Sequence, residues 1–246
     1  MKINYYGLTD IGQKRKTNQD SFICNDTLGL FAVSDGMGGL AYGKQTSEEV
    51  IRLLNTFISF EDFNDLNDEE AIDLLKDILI EINTHIIEMG NIENRTPLYG
   101  ATLTGVFIKD ENIIVFNIGD SRVYQMRQEK LQRITADDSL LQTILNAEVE
   151  IDEDEMKAAA GILLQFMGMY PSVIPSIKIY PFHHHDTICI CSDGLTSMLD
   201  DHKIEEILKQ NISIKDKTAQ LIQMANEAGG EDNITAIVIE RGDEDE

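Results

Sequence analysis

Short apolar runs recur along the chain, most of them closed by Gly, Asp or Asn. They fall at Ile3–Leu8, Ser21–Cys24, Leu30–Val33, Thr102–Ile108, Ile113–Ile118, Arg122–Met126, Ile177–Tyr180, Thr187–Cys191 and Ile234–Ile239, and they predict β-strands. Short polar joins such as Lys109-Asp110-Glu111-Asn112 predict antiparallel hairpins, because parallel strands need a much longer crossover. A different period rules between Asp68 and Met89. There Ile72, Leu75, Ile78, Leu79, Ile82 and Ile86 recur at helical spacing, behind an acidic first turn and before Gly90 as a stop. Helices are also predicted over Gln45–Phe57 and over Lys215–Ala228, the latter closed by Gly229-Gly230. Residues 138–168 read as helical and acidic, interrupted by turns: an insertion that serves as a lid or partner surface, or simply covers the core. Blocks of helix on either side of antiparallel strands predict an α+β protein, with packed strand layers and helices outside. No Pro/Gly/Ser-rich linker divides the chain, so a single domain is expected over residues 1–240, followed by a solvated acidic tail at 241–246.

Charge narrows the range of functions. Of 246 residues, 44 are acidic and 20 basic, a formal net charge of −24 that disfavours nucleic acid and anionic membrane surfaces as partners. The N-terminus lacks the apolar core of a secretion signal, and no run approaches the roughly 20 residues of a membrane span. A soluble, cytoplasmic monomer is expected. The three cysteines, Cys24, Cys189 and Cys191, form no CxxC pair and read as reduced, small hydrophobes.

Candidate chemistry lies where the strands stop. Three apolar runs end at an aspartate beside a glycine: Asp35-Gly36, Gly119-Asp120 and Asp193-Gly194; Asp232 stands just before a fourth run. Carboxylates planted at the ends of buried strands repel one another unless a cation lies between them. A pair of divalent metal ions is the simplest such cation. Magnesium and manganese take hard oxygen ligands of this kind, whereas the cysteine and histidine spacing suits neither zinc nor an iron–sulfur cluster.

The segment Thr9 to Asp20 places Arg15 five residues before Asp20. It is followed by VSDGMGG at 33–39, GDSR at 119–122, TADDS at 135–139, CSDG at 191–194 and GGEDN at 229–233. The order and spacing closely resemble the metal-dependent, type 2C serine/threonine protein phosphatases in their bacterial form, from Thr9 to Ile239. The resemblance implies a two-sheet antiparallel β-sandwich flanked on both sides by helices, with two Mn²⁺ or Mg²⁺ ions at one end and a possible third, weaker site. It implies that Asp35 bridges both metals, that the carbonyl of Gly36 binds one, and that Asp193 and Asp232 hold the other. Asp20 would bind metal or orient metal-bound water, Asp137 would help the third metal, and Arg15 would hold the substrate phosphate. Two metals roughly 4 Å apart lower the pKa of a water that attacks phosphorus in line, and no phosphoenzyme is needed. The implied substrates are phosphorylated proteins, with a serine/threonine kinase as the opposing enzyme.

The chain departs from the family at several positions. Gln19 stands where many relatives carry a metal-contacting Glu, Asp138 where many carry His, Ser197 where many carry Asp, and Met37 in place of the His of animal and plant members. Gln19 and Ser197 leave open a catalytically inactive, phosphoprotein-binding module of the same fold. Asp120 with Arg122 reads as a structural turn with a charge pair, Asp10 is ambiguous, and His183-His184-His185 reads as an exposed polar turn, since adjacent side chains do not converge on one ion.

Overall fold

The computed structural model describes residues 2–37, 41–61, 63, 65–92, 100–149, 151–169 and 171–242. Three strands, β1 (Ile3–Asp10), β2 (Asp20–Asn25) and β3 (Leu30–Met37), precede the long helices α1 (Ala41–Phe60) and α2 (Asp68–Ile92). The short β4 (Gly100–Ala101) leads into β5 (Leu103–Lys109), β6 (Asn112–Ile118), β7 (Arg122–Arg127) and β8 (Lys130–Arg133). Helices α3 (Leu140–Asn146) and α4 (Glu153–Ala160) follow. Then come β9 (Ser176–Pro181), β10 (Thr187–Cys191), α5 (Asp193–Thr196), α6 (Asp201–Leu208), α7 (Ile214–Glu227) and β11 (Ile234–Arg241).

All strand pairs are antiparallel, and they form two sheets, β1-β11-β10-β7-β8 and β2-β3-β5-β6-β9, with β4 paired to the end of β3. The expected layering of helix, sheet, sheet and helix follows from strands whose two faces are both buried. On β3, Leu30 and Ala32 pack against Val50 and Leu54 of α1 and Leu75 and Leu79 of α2, while Phe31 and Val33 face the other sheet. On β11, Ala236 and Val238 meet Ile204 of α6 and Leu221 of α7, while Ile237 and Ile239 face inward with Val123 and Ile188. With both faces covered, the sequence shows near-continuous apolar runs instead of clean alternation. Each of the larger of these side chains, Val, Leu, Ile or Phe, contributes about 1.5–3 kcal/mol by leaving water.

Several boundaries differ from expectation. Gly90 does not stop α2; it is a buried position inside the helix, which runs on to Ile92. An internal glycine costs only about 1 kcal/mol, less than the packed face of Leu75, Leu79, Ile82 and Ile86 returns. Strand β8 escaped the pattern because its hairpin turns through Gln128 and Glu129, both at positive φ (50° and 59°), in place of the usual Asn-Gly. Arg241 does not open a solvated tail. It closes β11 opposite Ile3, is 1% exposed, and donates to the carbonyl of Phe182 and to Glu111. The rest of the expected tail, residues 243–246, lies outside the described residues.

Within residues 138–168 lie the two short helices α3 and α4. Ser139 caps α3 through Gln142 N–H, and Asp152 with Glu155 forms a reciprocal capping box on α4. The segment's return path is pinned to the sandwich by the Ala101–Met167 bridge and closed on itself by the Ser139–Leu163 bridge. Among the described residues no helix is long and apolar enough to cross a membrane.

Phe31 lies fully buried between the sheets, whereas Phe60 is 80% exposed. Urea unfolding of Phe31→Ala is expected to show a loss of about 3–5 kcal/mol, and of Phe60→Ala a change within about 0.5 kcal/mol.

Candidate metal centre

Four carboxylates meet at the end of the sandwich where β2 and β11 begin and β3 and β10 end. The β2–β3 register sets Asp20 directly opposite Asp35. Asp193 opens α5 immediately after β10, and Asp232 stands two residues before β11. Two glycines allow the close approach of these segments. A Cβ on Gly194 would fall 2.0 Å from the carbonyl oxygen of Asn233, and one on Gly36 2.1 Å from that of Gly43, so no side chain fits at either position.

Asp35, Asp193 and Asp232 line a cavity of about 240 Å³, together with Arg15, Gln19 and Asp120; Gly161 and Leu163 of the insertion form part of its wall. A larger groove of about 650 Å³ near Leu28, Phe63 and Phe107 balances its two acids, Asp26 and Asp110, with Lys2 and Lys109. Of these two cavities, the smaller one gathers unbalanced carboxylates.

Burial is the main cause that lifts Asp20, Asp35, Asp120 and Asp193 above the ordinary carboxylate range. Asp35 is raised well above it, with the charges of Asp20, Asp193 and Asp120 adding to the effect. Asp20 is pushed up to about 6 although hydroxyls of Thr235 and Ser192 favour its ionised form. Asp120 is pushed up to about 8 by burial and then by Asp193 and Asp137, and Asp193 is raised by burial with Asp232 opposing its charge. Oδ1 of Asp20 and Oδ1 of Asp193 are buried acceptors that no donor reaches.

These bare oxygens and the all-oxygen donor set fit a hard divalent ion. Among the described residues no three carboxylates, thiols or imidazoles converge as a ready-made cage. A spread set of carboxylates with room for water matches the habit of magnesium and manganese of keeping several waters.

The remaining sequence candidates are placed unequally. Arg15 lies at the cavity with its Nη2 2.6 Å from Oδ2 of Asp232, both side chains partly exposed at 50% and 31%. Its loop is held by Asn233, whose Oδ1 accepts Gln19 N–H and whose Nδ2 donates to the carbonyls of Ile11 and Thr17. Asp137 is not brought into the cavity. Arg122 grips it through Nε (3.0 Å) and Nη2 (2.7 Å), and Arg133 approaches at 3.5 Å. Asp120 corrects the opposite expectation: the partner of Arg122 is Asp137, and Asp120 turns into the cluster after Gly119 at φ 109°. Asp120 carried the same signal as the other sites, an apolar run ending in Gly-Asp, and nearby Arg122 masked it. Asp10 caps its own turn through Gly12 N–H. His183, His184 and His185 are exposed on a turn whose Asp186 pairs with Arg127.

Comparison with known proteins decides what this site belongs to. The model of the protein phosphatase 2C family matches residues 12–238. The chain belongs to the protein phosphatase 2C family, and it is a serine/threonine phosphatase. It is 34% identical over 238 residues to the serine/threonine phosphatase Stp of Listeria monocytogenes, covering 95% of this chain and 94% of that one. The solved structure of the Streptococcus agalactiae serine/threonine phosphatase superposes with a TM-score of 0.89 at 32% identity, over 98% of this chain and 100% of that one. The catalytic domain of the phosphatase PstP, solved in complex with two manganese ions, gives 0.85 at 29% identity, over 98% and 99%.

The crowding of like charges predicts a measurable instability in metal-free protein. With EDTA present, Asp35→Asn is expected to be more stable than the wild type to urea unfolding, because it removes one of the crowded, buried like charges. Added Mn²⁺ is expected to raise the melting temperature of the wild type and to leave that of Asp35→Asn nearly unchanged. An Asp35→Asn protein no more stable than wild type in EDTA would show that the fold already relieves the repulsion.

Proposed function

We propose that this phosphatase hydrolyses phosphoserine and phosphothreonine on proteins in the cavity at the sandwich end, opposing a serine/threonine kinase. Asp35 and the carbonyl of Gly36, with Asp193, Asp232 and Asp20, would hold two Mn²⁺ or Mg²⁺ ions. The observation that carries this reading is the pair of buried, donorless oxygens, Asp20 Oδ1 and Asp193 Oδ1, where four carboxylates meet at the end of the sandwich. Bound there, the ions would neutralise charge on the phosphoryl group and acidify a water for attack on phosphorus.

The chain's own residues have separable tasks. Arg15 exchanges Asp232 for two phosphate oxygens, a planar match that Lys lacks. Its present contact is exposed and worth at most about 1 kcal/mol, so the exchange is cheap. Asp120, beside Asp193 in the cavity, takes the third, weaker metal position that the resemblance gave to Asp137. Asp137 instead holds Arg122 and Arg133 away from the phosphate. Gln19 is neutral and lines the cavity, so the ion nearest to it relies more on water and on the surrounding acids. An inactive binding module is not favoured, since Asp20, Asp35, Asp193 and Asp232 meet at the sandwich end with Arg15 beside them.

The test is hydrolysis of a phosphothreonine peptide with and without Mn²⁺. Turnover is expected only with the metal. Asp193→Asn is expected to lower kcat/KM by about 10³-fold or more, as loss of several kcal/mol of charge stabilisation requires. Arg15→Ala should lose roughly 10²–10³-fold, by analogy with removal of one strong donor to a developing oxyanion. Full activity in a folded Asp193→Asn protein would sink the metal assignment.

A further inference from the structure

Asp20 is the most enclosed acid of the cluster, and the hydroxyls around it are forced to point one way. Its Oδ2 lies 2.8 Å from Oγ of Ser192 and 2.6 Å from Oγ1 of Thr235. An ionised carboxylate has no proton to give, so both hydroxyls donate. Thr235 Oγ1, its single proton directed at Asp20, accepts from Thr9 Oγ1 at 2.7 Å, and Thr9 accepts from Asn18 Nδ2 at 2.8 Å. Asn18 Oδ1 in turn receives the backbone N–H of Asp20 at 3.1 Å and closes the ring. Ser192 Oγ accepts the backbone N–H of Thr235 at 3.0 Å, which fixes its own proton toward Asp20.

Both Ser192 and Thr235 are fully buried, and none of Thr9, Asn18, Ser192 or Thr235 lines the cavity. Oδ2 of Asp20 is thus saturated while Oδ1, equally buried, has no donor. As a purely structural device the ring would be costly, because it ends on an acid with one unsatisfied oxygen. It makes sense if Oδ1 must be left bare and aimed.

Resting on the metal reading of the cavity, we propose that Thr235 and Ser192, with Thr9 and Asn18 behind Thr235, are positioning residues. They clamp one oxygen of Asp20 and leave the other free to bind a divalent ion or its water. They touch neither phosphate nor metal, and act only through the orientation of this carboxylate.

The experiment is calorimetric titration of the metal-free, full-length protein with Mn²⁺, without substrate, paired with steady-state kinetics. Thr235→Val keeps the shape and removes the hydroxyl. It is expected to weaken Mn²⁺ binding by roughly tenfold or more, the usual size of effect for a lost ligand-orienting hydrogen bond. Thr235→Ser should restore binding to within about twofold. Ser192→Ala should act in the same direction, and Thr9→Val, one step removed, more weakly. In kinetics Thr235→Val should need more Mn²⁺ for half-maximal activity while KM for a phosphothreonine peptide at saturating metal stays unchanged, a split that general loosening of the fold would not give. The proposal is overturned if Thr235→Val binds Mn²⁺ as wild type does, or if Thr235→Ser is as impaired as Thr235→Val. Should Thr235→Val fail to fold, Ser192→Ala and Thr9→Val decide on the same criterion, wild-type Mn²⁺ affinity in both counting against it. Equal Mn²⁺ binding by wild type and Asp35→Asn would overturn the metal reading itself, and the positioning role with it.

Discussion

Like charges forced together by strand register are the constraint on which this molecule turns. Asp20 and Asp35 lie opposite each other across β2 and β3, and Asp193 and Asp232 are brought up from the facing sheet by the ends of β10 and β11. Directly opposed like charges destabilise a strand pair even on a wet surface, and these are buried. Such an arrangement survives only on a scaffold that cannot relax away from it. The three apolar layers provide that scaffold: helix against sheet, sheet against sheet, sheet against helix. Gly36 and Gly194 then let backbone segments approach so closely that the carboxylates have nowhere to retreat. A stable fold thereby stores a site that is short of positive charge.

The loops that complete the site are fastened by polar contacts instead of apolar ones. Asn233 ties the Arg15 loop to the strand that follows Asp232, and Gly230 receives the N–H groups of Gln13 and Lys14 on its carbonyl. Arg15 and Asp232 are therefore held near each other by backbone, while their side chains meet through one exposed contact. Firm backbone and a loose ion pair suit the exchange of partners proposed for Arg15. Arg122 shows the contrast. Gripped through two nitrogens by a mostly buried Asp137, it is committed, and its carboxylate partner with it.

What could be read from the chain follows the range of the interactions involved. Asp35, Asp193 and Asp232 were legible because each sits against an apolar run, a local signal. The strands other than β4 and β8, and the three main helices, were legible for the same reason. That Asp120 lines the cavity and Asp137 does not was hidden because the partner of Arg122 lies fifteen residues away by sequence number and is selected by the β7–β8 hairpin, whose Gln128-Glu129 turn carries no recognisable turn chemistry. Arg241 looked like the start of a charged tail because its anchors, Phe182 and Glu111, come from other parts of the chain. The ring around Asp20 was illegible altogether. The pairing of β1 and β10 with β11 brings Thr9, Ser192 and Thr235 together, and Asn18 joins them from the loop before β2.

Net charge sets the final requirement. A protein at −24 repels a phosphorylated substrate at long range, and most arginines near the site are already committed to carboxylates. Arg15, with Lys14 and Lys16 beside it, cannot alone balance a phosphate dianion placed over four acids. The compensating charge must come from outside the polypeptide. If it is metal, then the same ions that stabilise the folded carboxylate cluster also create the binding site for the substrate, and stability and catalysis draw on one electrostatic imbalance. Placing the deficit at the end of the sandwich keeps it clear of the apolar layers, so the acids can be varied without dismantling the core that presents them.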